Sequence, residues 1–218
     1  MVALIRYQLA AVVHGQRYVA PLLFFGIVLT VFTVNDGGLL TNTYVVSAST
    51  LLISMCWLTV TIVNHEDPVR RSIQSVTAGG AGRVLAAEML LALLSGVVLL
   101  GFGLAFPILL GQHRWGGADL AAGALAQLNC AVTGIAIGVV CSRLVVPRPG
   151  WSLLLALVVV IAVPLIPGLP PVNPVLTMMS GTRPAAEMLP TLTVHLAVSI
   201  LVAAGCVALT RHVASRHD

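Results

Sequence analysis

Residues 43–82 read TYVVSASTLLISMCWLTVTIV and then NHEDPVRRSIQSVTAGGAG, and the change between the two halves decides the fold. The first half has no charged side chain, and a helix of about 20 apolar residues crosses the roughly 30 Å hydrocarbon core of a bilayer. The second half is polar, with Asp-Pro near its start and Gly-Gly near its end. The stretch therefore predicts a membrane span that leads into a short, capped helix outside the bilayer.

The composition of the whole chain agrees with a membrane protein. Of 218 residues, 58% are apolar and 8% are charged, whereas a soluble domain has about 45–50% apolar and about 25% charged residues. Mean hydropathy is +1.03. These values exclude a soluble enzyme, a disordered tail and a nucleic-acid-binding module. All 11 basic residues are arginine, so the chain has no lysine for ATP phosphates or a Schiff base, and any ATP is bound by another chain.

Six apolar runs predict an all-α, polytopic transmembrane domain that covers residues 1–218. The predicted spans are about 18–34, 43–63, 84–110, 119–142, 151–167 and 188–210. With the N-terminus inside, nine arginines fall on the cytoplasmic side and Arg114 and Arg183 fall outside. This positive-inside bias predicts a multi-pass protein of the plasma (inner) membrane with both termini in the cytoplasm.

The loop between the second and third spans predicts a helix over residues 67–78. Asp67 is a favourable N-cap, Pro68 suits the first helical position, and Gly79-Gly80 supplies a stop. The apolar residues recur at helical spacing and polar residues surround them, as expected of an amphipathic helix. The apolar residues are Val69, Ile73 and Val76, and the neighbouring arginines are Arg70 and Arg71. Two interpretations remain: a helix that rests on lipid headgroups, or one that fits a groove on a partner.

Two further segments are predicted to lie outside the regular spans. Residues 1–17 have an apolar face and predict a helix on the inner membrane surface, with Gly15 at the turn into the bilayer. The alternative is an extension of the first span. Residues 164–187 contain a proline-rich stretch that does not form a continuous helix. Because this stretch remains apolar, we expect a broken hairpin buried at the outer face.

Polar and small residues inside the spans have two interpretations. In the second span they form one stripe of Ser47, Thr50, Ser54, Trp57 and Thr61. In the fourth span, Gly134 and Gly138 form a GxxxG pair within a second stripe, whose other members are Gly123, Gln127, Cys130 and Cys141. Such residues usually mediate helix packing; a substrate path along the second span is the alternative.

Two ionisable residues inside the spans are functional candidates, since charges at membrane depth are costly. Glu88 lies about one turn after Arg83 and predicts coupling or gating, or else an arginine partner or the headgroups. His195, in the sixth span, predicts a hydrogen bond to a neighbouring helix. The four cysteines fall within apolar runs and predict buried thiols.

No catalytic or metal site is predicted. His65-Glu66 is not followed by a second histidine at HExxH spacing, and no GxSxG nucleophile motif occurs.

The layout resembles the permease subunit of ABC-2-type exporters. The resemblance rests on the inner surface helix, the six spans, the HEDPVRRSIQSVTAGGAG loop at 65–82 and the PPVNPV element at 170–175. The haem-exporter B subunit has a related layout. The sequence departs from the family in having Gly79-Gly80 where a proline usually follows the loop helix.

The resemblance implies an ATP-driven exporter of an apolar or amphipathic substrate such as a drug, antibiotic or lipid. Two cytoplasmic ABC ATPase subunits, which carry ATP and Mg, would dock on residues 67–78, and a second permease copy or a sister permease would complete the complex. The implied coupling residues are Asp67, Val69, Arg70, Arg71, Ile73 and Val76. Two alternatives stay open: a membrane anchor or scaffold without transport, and an ion-coupled carrier that uses Glu88 or His195.

Overall fold

The computed structural model describes residues 2–35, 40–65, 68–110, 116–145, 149–181 and 183–214. Every regular element in these ranges is a helix, which confirms the all-α prediction. In chain order the helices are α1 (Val2–His14), α2 (Val19–Asn35), α3 (Leu40–Val63), α4 (Pro68–Ala78), α5 (Ala81–Leu110), α6 (Gly117–Val140), α7 (Pro149–Leu165), α8 (Val172–Met179) and α9 (Ala185–Ala214).

Helix length and composition indicate a multi-pass membrane protein. In the described residues, α3, α5, α6 and α9 are each long and apolar enough to cross a bilayer. A fifth candidate arises if α1 and α2, which meet at an angle of 73°, form one broken span. The apolar α7 has 17 residues, about 25 Å at 1.5 Å per residue. The structure thus supports four or five spans on these criteria, where the sequence predicts six.

The helices α3 and α6 form the centre of the bundle. Two-thirds (67%) of the apolar window of each is buried, against 28% for α5 and 11% for α9. Small residues on α6 permit this close approach, because a methyl group on Gly134 would lie 2.6 Å from the Leu52 carbonyl oxygen. A methyl group on Gly138 would lie 2.8 Å from the Cys56 carbonyl oxygen. The GxxxG pair therefore serves helix packing, as predicted.

Hydrogen bonds and close contacts identify which helix ends lie together. Asn64, just after α3, bonds to the backbone N–H of Arg143 after α6 and to Ser152 in the first turns of α7. Arg211, near the end of α9, lies against Gly82 at the start of α5. We call this end of the bundle, where α4 also lies, the α4 end.

The bend between α1 and α2 also lies at the α4 end. Gly15 sits so close to His65 that a methyl group there would lie 2.8 Å from the imidazole Cε1. The left-handed residue of the turn is Gln16, with φ of 50°, rather than the predicted Gly15. Steric crowding against His65 favours glycine at position 15.

The opposite end is closed by α8, within the predicted hairpin. Val172, Val175 and Met179 are fully buried against the bundle. Asn173 donates to the Pro164 carbonyl at 2.8 Å and accepts from the Gly168 N–H at 3.1 Å. The segment after α7 thus contains a short helix with one buried side, whereas residues 165–168 are exposed.

We expect Gly134→Ala to lower the free energy of unfolding by about 1–3 kcal/mol, because the added methyl group meets a backbone carbonyl that cannot move aside. Thermal unfolding in detergent measures the effect. Gly101→Ala is the matched control, since nothing lies within 4 Å of a methyl group there. Equal effects of the two substitutions would contradict the close packing of α3 on α6.

Candidate functional site

Helix α4 is bounded by the residues predicted to start and stop it. It begins at Pro68 and ends at Ala78. Gly79 has φ of +78°, and the Gly80 N–H donates to the Ser75 carbonyl at 2.7 Å, which forms a glycine C-cap. Arg83 Nη1 also donates to the Ala78 carbonyl at 3.1 Å. The predicted N-cap, Asp67, and the side chain of Val69 lie outside the described residues.

An ion pair ties α4 to the bundle. Arg71 Nη2 lies 3.0 Å from Glu88 Oε2, and Arg71 Nη1 donates to the Val63 carbonyl at 3.1 Å. The Glu88 side chain is 3% exposed and that of Arg71 is 19% exposed. One guanidinium therefore joins α4 both to the start of α5 and to the end of α3.

The ion pair shows which group is the partner of Glu88: an arginine, as opposed to the lipid headgroups. The carboxylate pairs with an arginine, and that arginine is Arg71 rather than Arg83, which lies nearer in sequence. A buried carboxylate without a counter-charge is strongly destabilising, so the pair satisfies a requirement of the fold. Two of the predicted site residues, Arg71 of the loop helix and Glu88 of the third predicted span, thus form one cluster.

The apolar edge of α4 faces away from the protein. Ile73 is 60% exposed and Val76 is 81% exposed, whereas Gln74 is 8% exposed. Arg71 lies with Gln74 on the side of the helix that meets the bundle. Helix α4 therefore packs through polar side chains and presents apolar ones, the reverse of an ordinary surface helix. Arg70 is exposed beside this outward edge.

The polar stripe of α3 is used mainly within the bundle. Ser47 accepts a hydrogen bond from Gln127 Nε2 at 3.1 Å, and both residues are fully buried. Thr50 bonds within its own helix, to the Val46 carbonyl. Ser54 is also fully buried, and its hydroxyl has no hydrogen-bond partner among the described residues. These three side chains are therefore used for packing within the bundle and do not line an open path.

The other two members of the α3 stripe lie nearer the surface. Thr61 is half-buried and donates to the Trp57 carbonyl at 2.9 Å. Trp57 is also half-buried and lines a small cavity between α3 and α7. These two residues, at the half of α3 nearest the α4 end, are the members of the stripe that reach the surface of the bundle.

His195 lies beside a polar pair that joins α6 and α9. The Thr133 hydroxyl of α6 donates to the Ser199 hydroxyl of α9 at 3.4 Å, and the Ser199 hydroxyl donates to the His195 carbonyl at 3.1 Å. The imidazole Nδ1 is buried without a hydrogen-bond partner in the described part of the chain. The predicted side-chain bond to a neighbouring helix is thus not seen at that nitrogen.

Two amide residues of the bundle were missed from the sequence. Asn129 of α6 is fully buried, and Asn64 joins three helices at the α4 end. Gln127, in contrast, belongs to the packing stripe predicted for the fourth span, and it contacts Ser47 of α3. The signal of the two asparagines in the sequence is a lone amide in or beside an apolar run, which usually marks a contact between helices. Asn64 also directly follows a span, where helix ends leave backbone groups in need of partners.

The described residues form no cluster of three or more histidine, cysteine, aspartate or glutamate side chains suited to a metal. The four cysteines are free thiols; three are buried and Cys206 is half-buried. Comparisons with known protein families, with curated proteins and with solved structures find no match to this chain.

We expect Glu88→Gln to loosen the attachment of α4 to the bundle, because it leaves the partly buried Arg71 without its counter-charge. Trypsin cleavage after Arg70 should become faster, since a protease needs a locally unfolded chain. Glu187→Gln, which changes an exposed carboxylate of α9, is the matched control and should leave the rate unchanged.

The double variant Arg71→Met/Glu88→Gln tests the pairing itself. It should be more resistant to cleavage after Arg70 than the sum of the single changes predicts, since no unpaired charge remains. Strict additivity would show that the two side chains do not stabilise each other.

Proposed function

We propose that this chain is the transmembrane permease subunit of an ATP-driven exporter of the ABC-2 type. In this proposal two cytoplasmic ABC ATPase subunits dock on α4 and carry the ATP and Mg. A second copy of the chain, or a sister permease, completes the membrane part. The substrate is apolar or amphipathic, such as a drug, an antibiotic or a lipid.

The observation that carries the proposal is the outward apolar edge of α4. The helix needs neither Ile73 nor Val76 to hold its place, because Arg71 and Gln74 meet the bundle. Ile73 and Val76 lie one turn apart and form one contiguous apolar edge, and such contiguous exposed patches are typical of interaction surfaces. An isolated helix of 11 residues is also marginal in water, so its attachment to α5 presents a preformed edge to a partner.

The distribution of arginine supports a cytoplasmic location for this edge. Of the eight arginines in the described residues, seven lie at the α4 end and Arg183 lies near the other. Under the positive-inside rule the α4 end faces the cytoplasm, where ABC ATPases act. Both α1 and the last turn of α9 lie at this end, as an even number of spans requires. The proposal therefore keeps six spans, with α2 and α7 as the two short ones.

The ion pair supports a route by which ATP-driven motion reaches the membrane. A force on α4 acts through Arg71 on Glu88 of α5 and on the carbonyl group that ends α3. These helices contain the buried core contacts and the half-buried Trp57 and Thr61. Movement of α4 would thus shift the helices that border the proposed substrate path.

Ile73→Asp tests the docking of the ATPase. We expect the variant to insert in the membrane in normal amount and to lose co-purification with an ABC ATPase encoded beside its gene, because a charge replaces the exposed apolar contact. Ser72→Asp, an equal change at an exposed polar position of the same helix, should retain the ATPase. Retention by both variants would favour the anchor or scaffold function.

Glu88→Gln tests the transmission of force. We expect the loosened α4 to bind the ATPase more weakly. At an ATPase concentration high enough to restore binding, ATP hydrolysis should continue while export of a fluorescent amphipathic substrate from vesicles falls, because α4 no longer pulls on α5. Unchanged export would remove Glu88 from the mechanism. Export that persists without ATP but requires a proton gradient would favour the ion-coupled carrier.

A further inference from the structure

A long groove runs along the bundle between α5 and α9. Its cavity volume is about 1210 Å³. Helix α6 forms the floor with Leu128, Val132 and Ile135. Residues such as Leu93 of α5 and Ile200 of α9 form the walls, and these two side chains are 44% and 51% exposed. The groove is therefore open along its side, toward the region that a bilayer would occupy.

The groove exists because α9 packs against α6 but barely touches α5. The Thr133–Ser199 contact holds α9 on α6 at mid-length. Toward the α4 end, the wall formed by α9 consists largely of small side chains, Ala203, Ala204 and Ala208. Their size leaves the space above α6 unfilled.

Charge is confined to one end of the groove. Among the described residues that line it, the charged or titratable side chains are Arg211 and His212, both at the α4 end. Arg211 is exposed and its guanidinium lies over the first turn of α5, where a methyl group on Gly82 would be 3.1 Å from Nε. The first turn of a helix adds positive potential of its own.

We propose that this groove binds one phospholipid with an anionic headgroup. The headgroup phosphate pairs with Arg211 at the membrane surface, and an acyl chain lies along the apolar walls toward mid-bilayer. This inference is independent of the proposed transport function, since it needs only a membrane-embedded bundle.

The groove is charged at the α4 end and apolar along the rest of its length, and this order matches that of a phospholipid. A phospholipid of the leaflet at the α4 end has its charge at the surface and its hydrocarbon below, in the order in which the groove offers a cation and then apolar walls. Basic pockets between membrane helices are known to bind anionic headgroups. A second protein helix would fill the apolar part but would leave Arg211 without an anion.

Thermal unfolding of the purified chain in detergent tests the proposal, with phosphatidylglycerol and phosphatidylcholine of identical acyl chains as probes. We expect phosphatidylglycerol to raise the unfolding midpoint more than phosphatidylcholine does. This difference should shrink in 1 M salt, where the Debye length falls to about 3 Å. Arg211→Gln should abolish the difference, whereas Arg6→Gln, an exposed arginine of α1 at the same end, should retain it.

A second pair of variants tests the apolar part. Ala204→Trp fills the groove and should remove the stabilisation by both lipids. Val202→Trp, about 200° around the same helix, should leave it intact. If Ala204→Trp does not fold, as judged by its elution in gel filtration, Ala208→Phe replaces it.

Four outcomes would overturn the proposal. Equal stabilisation by the two lipids would exclude selection by charge, and full stabilisation of the Ala204→Trp variant would place the lipid elsewhere. An effect of inorganic phosphate equal to that of phosphatidylglycerol would indicate a site for a free anion. If the unsubstituted chain is a dimer and the Ala204→Trp variant is a monomer, a second copy of the chain covers the groove.

Discussion

A carboxylate among apolar helices needs a counter-charge, because the hydrocarbon of a bilayer offers no water to solvate it. In this chain that requirement fixes the position of α4. Glu88 at the start of α5 draws Arg71 inward, and Arg71 brings one side of α4 with it. The pair explains why the apolar residues of α4 face outward, since the inner side is already committed to charge. The proposed docking surface is thus a consequence of an electrostatic constraint.

The rest of the bundle supplies a rigid frame for this attachment. The glycines of α6 let α3 approach closely, so the end of α3 has a defined position to which Arg71 can bond. Asn64 then fixes α6 and α7 to the same end. Helix α9 packs against α6 but barely touches α5, and the groove between α5 and α9 follows from this difference.

Features set by local chemistry could be predicted from the sequence. The limits of α4 follow from Pro68 and from Gly79-Gly80, which act on their immediate neighbours, and the packing role of Gly134 and Gly138 follows from their spacing. The sequence predicts the turn at Gly15, whereas the left-handed residue is Gln16. Gly15 instead allows the close approach of His65. That contact joins residues far apart in the chain.

The partner of Glu88 shows more clearly what a single sequence does not predict. Arg83 lies one turn away in sequence, but it bonds to the end of α4, and the loop brings Arg71 to the carboxylate instead. Likewise, no local pattern pairs Gln127 with Ser47, which lie 80 positions apart. Such pairs depend on how the helices are arranged in space, which a single sequence without relatives does not determine.

The separation of the two sides of α4 has an evolutionary consequence. The residues that hold the helix, Arg71 and Gln74, differ from the residues that it displays, Ile73 and Val76. Exchange of Ile73 and Val76 therefore leaves the attachment of α4 intact. If α4 docks a partner as proposed, a duplicated gene for this chain can change its choice of partner by substitutions at these exposed positions alone, without any change in the membrane bundle.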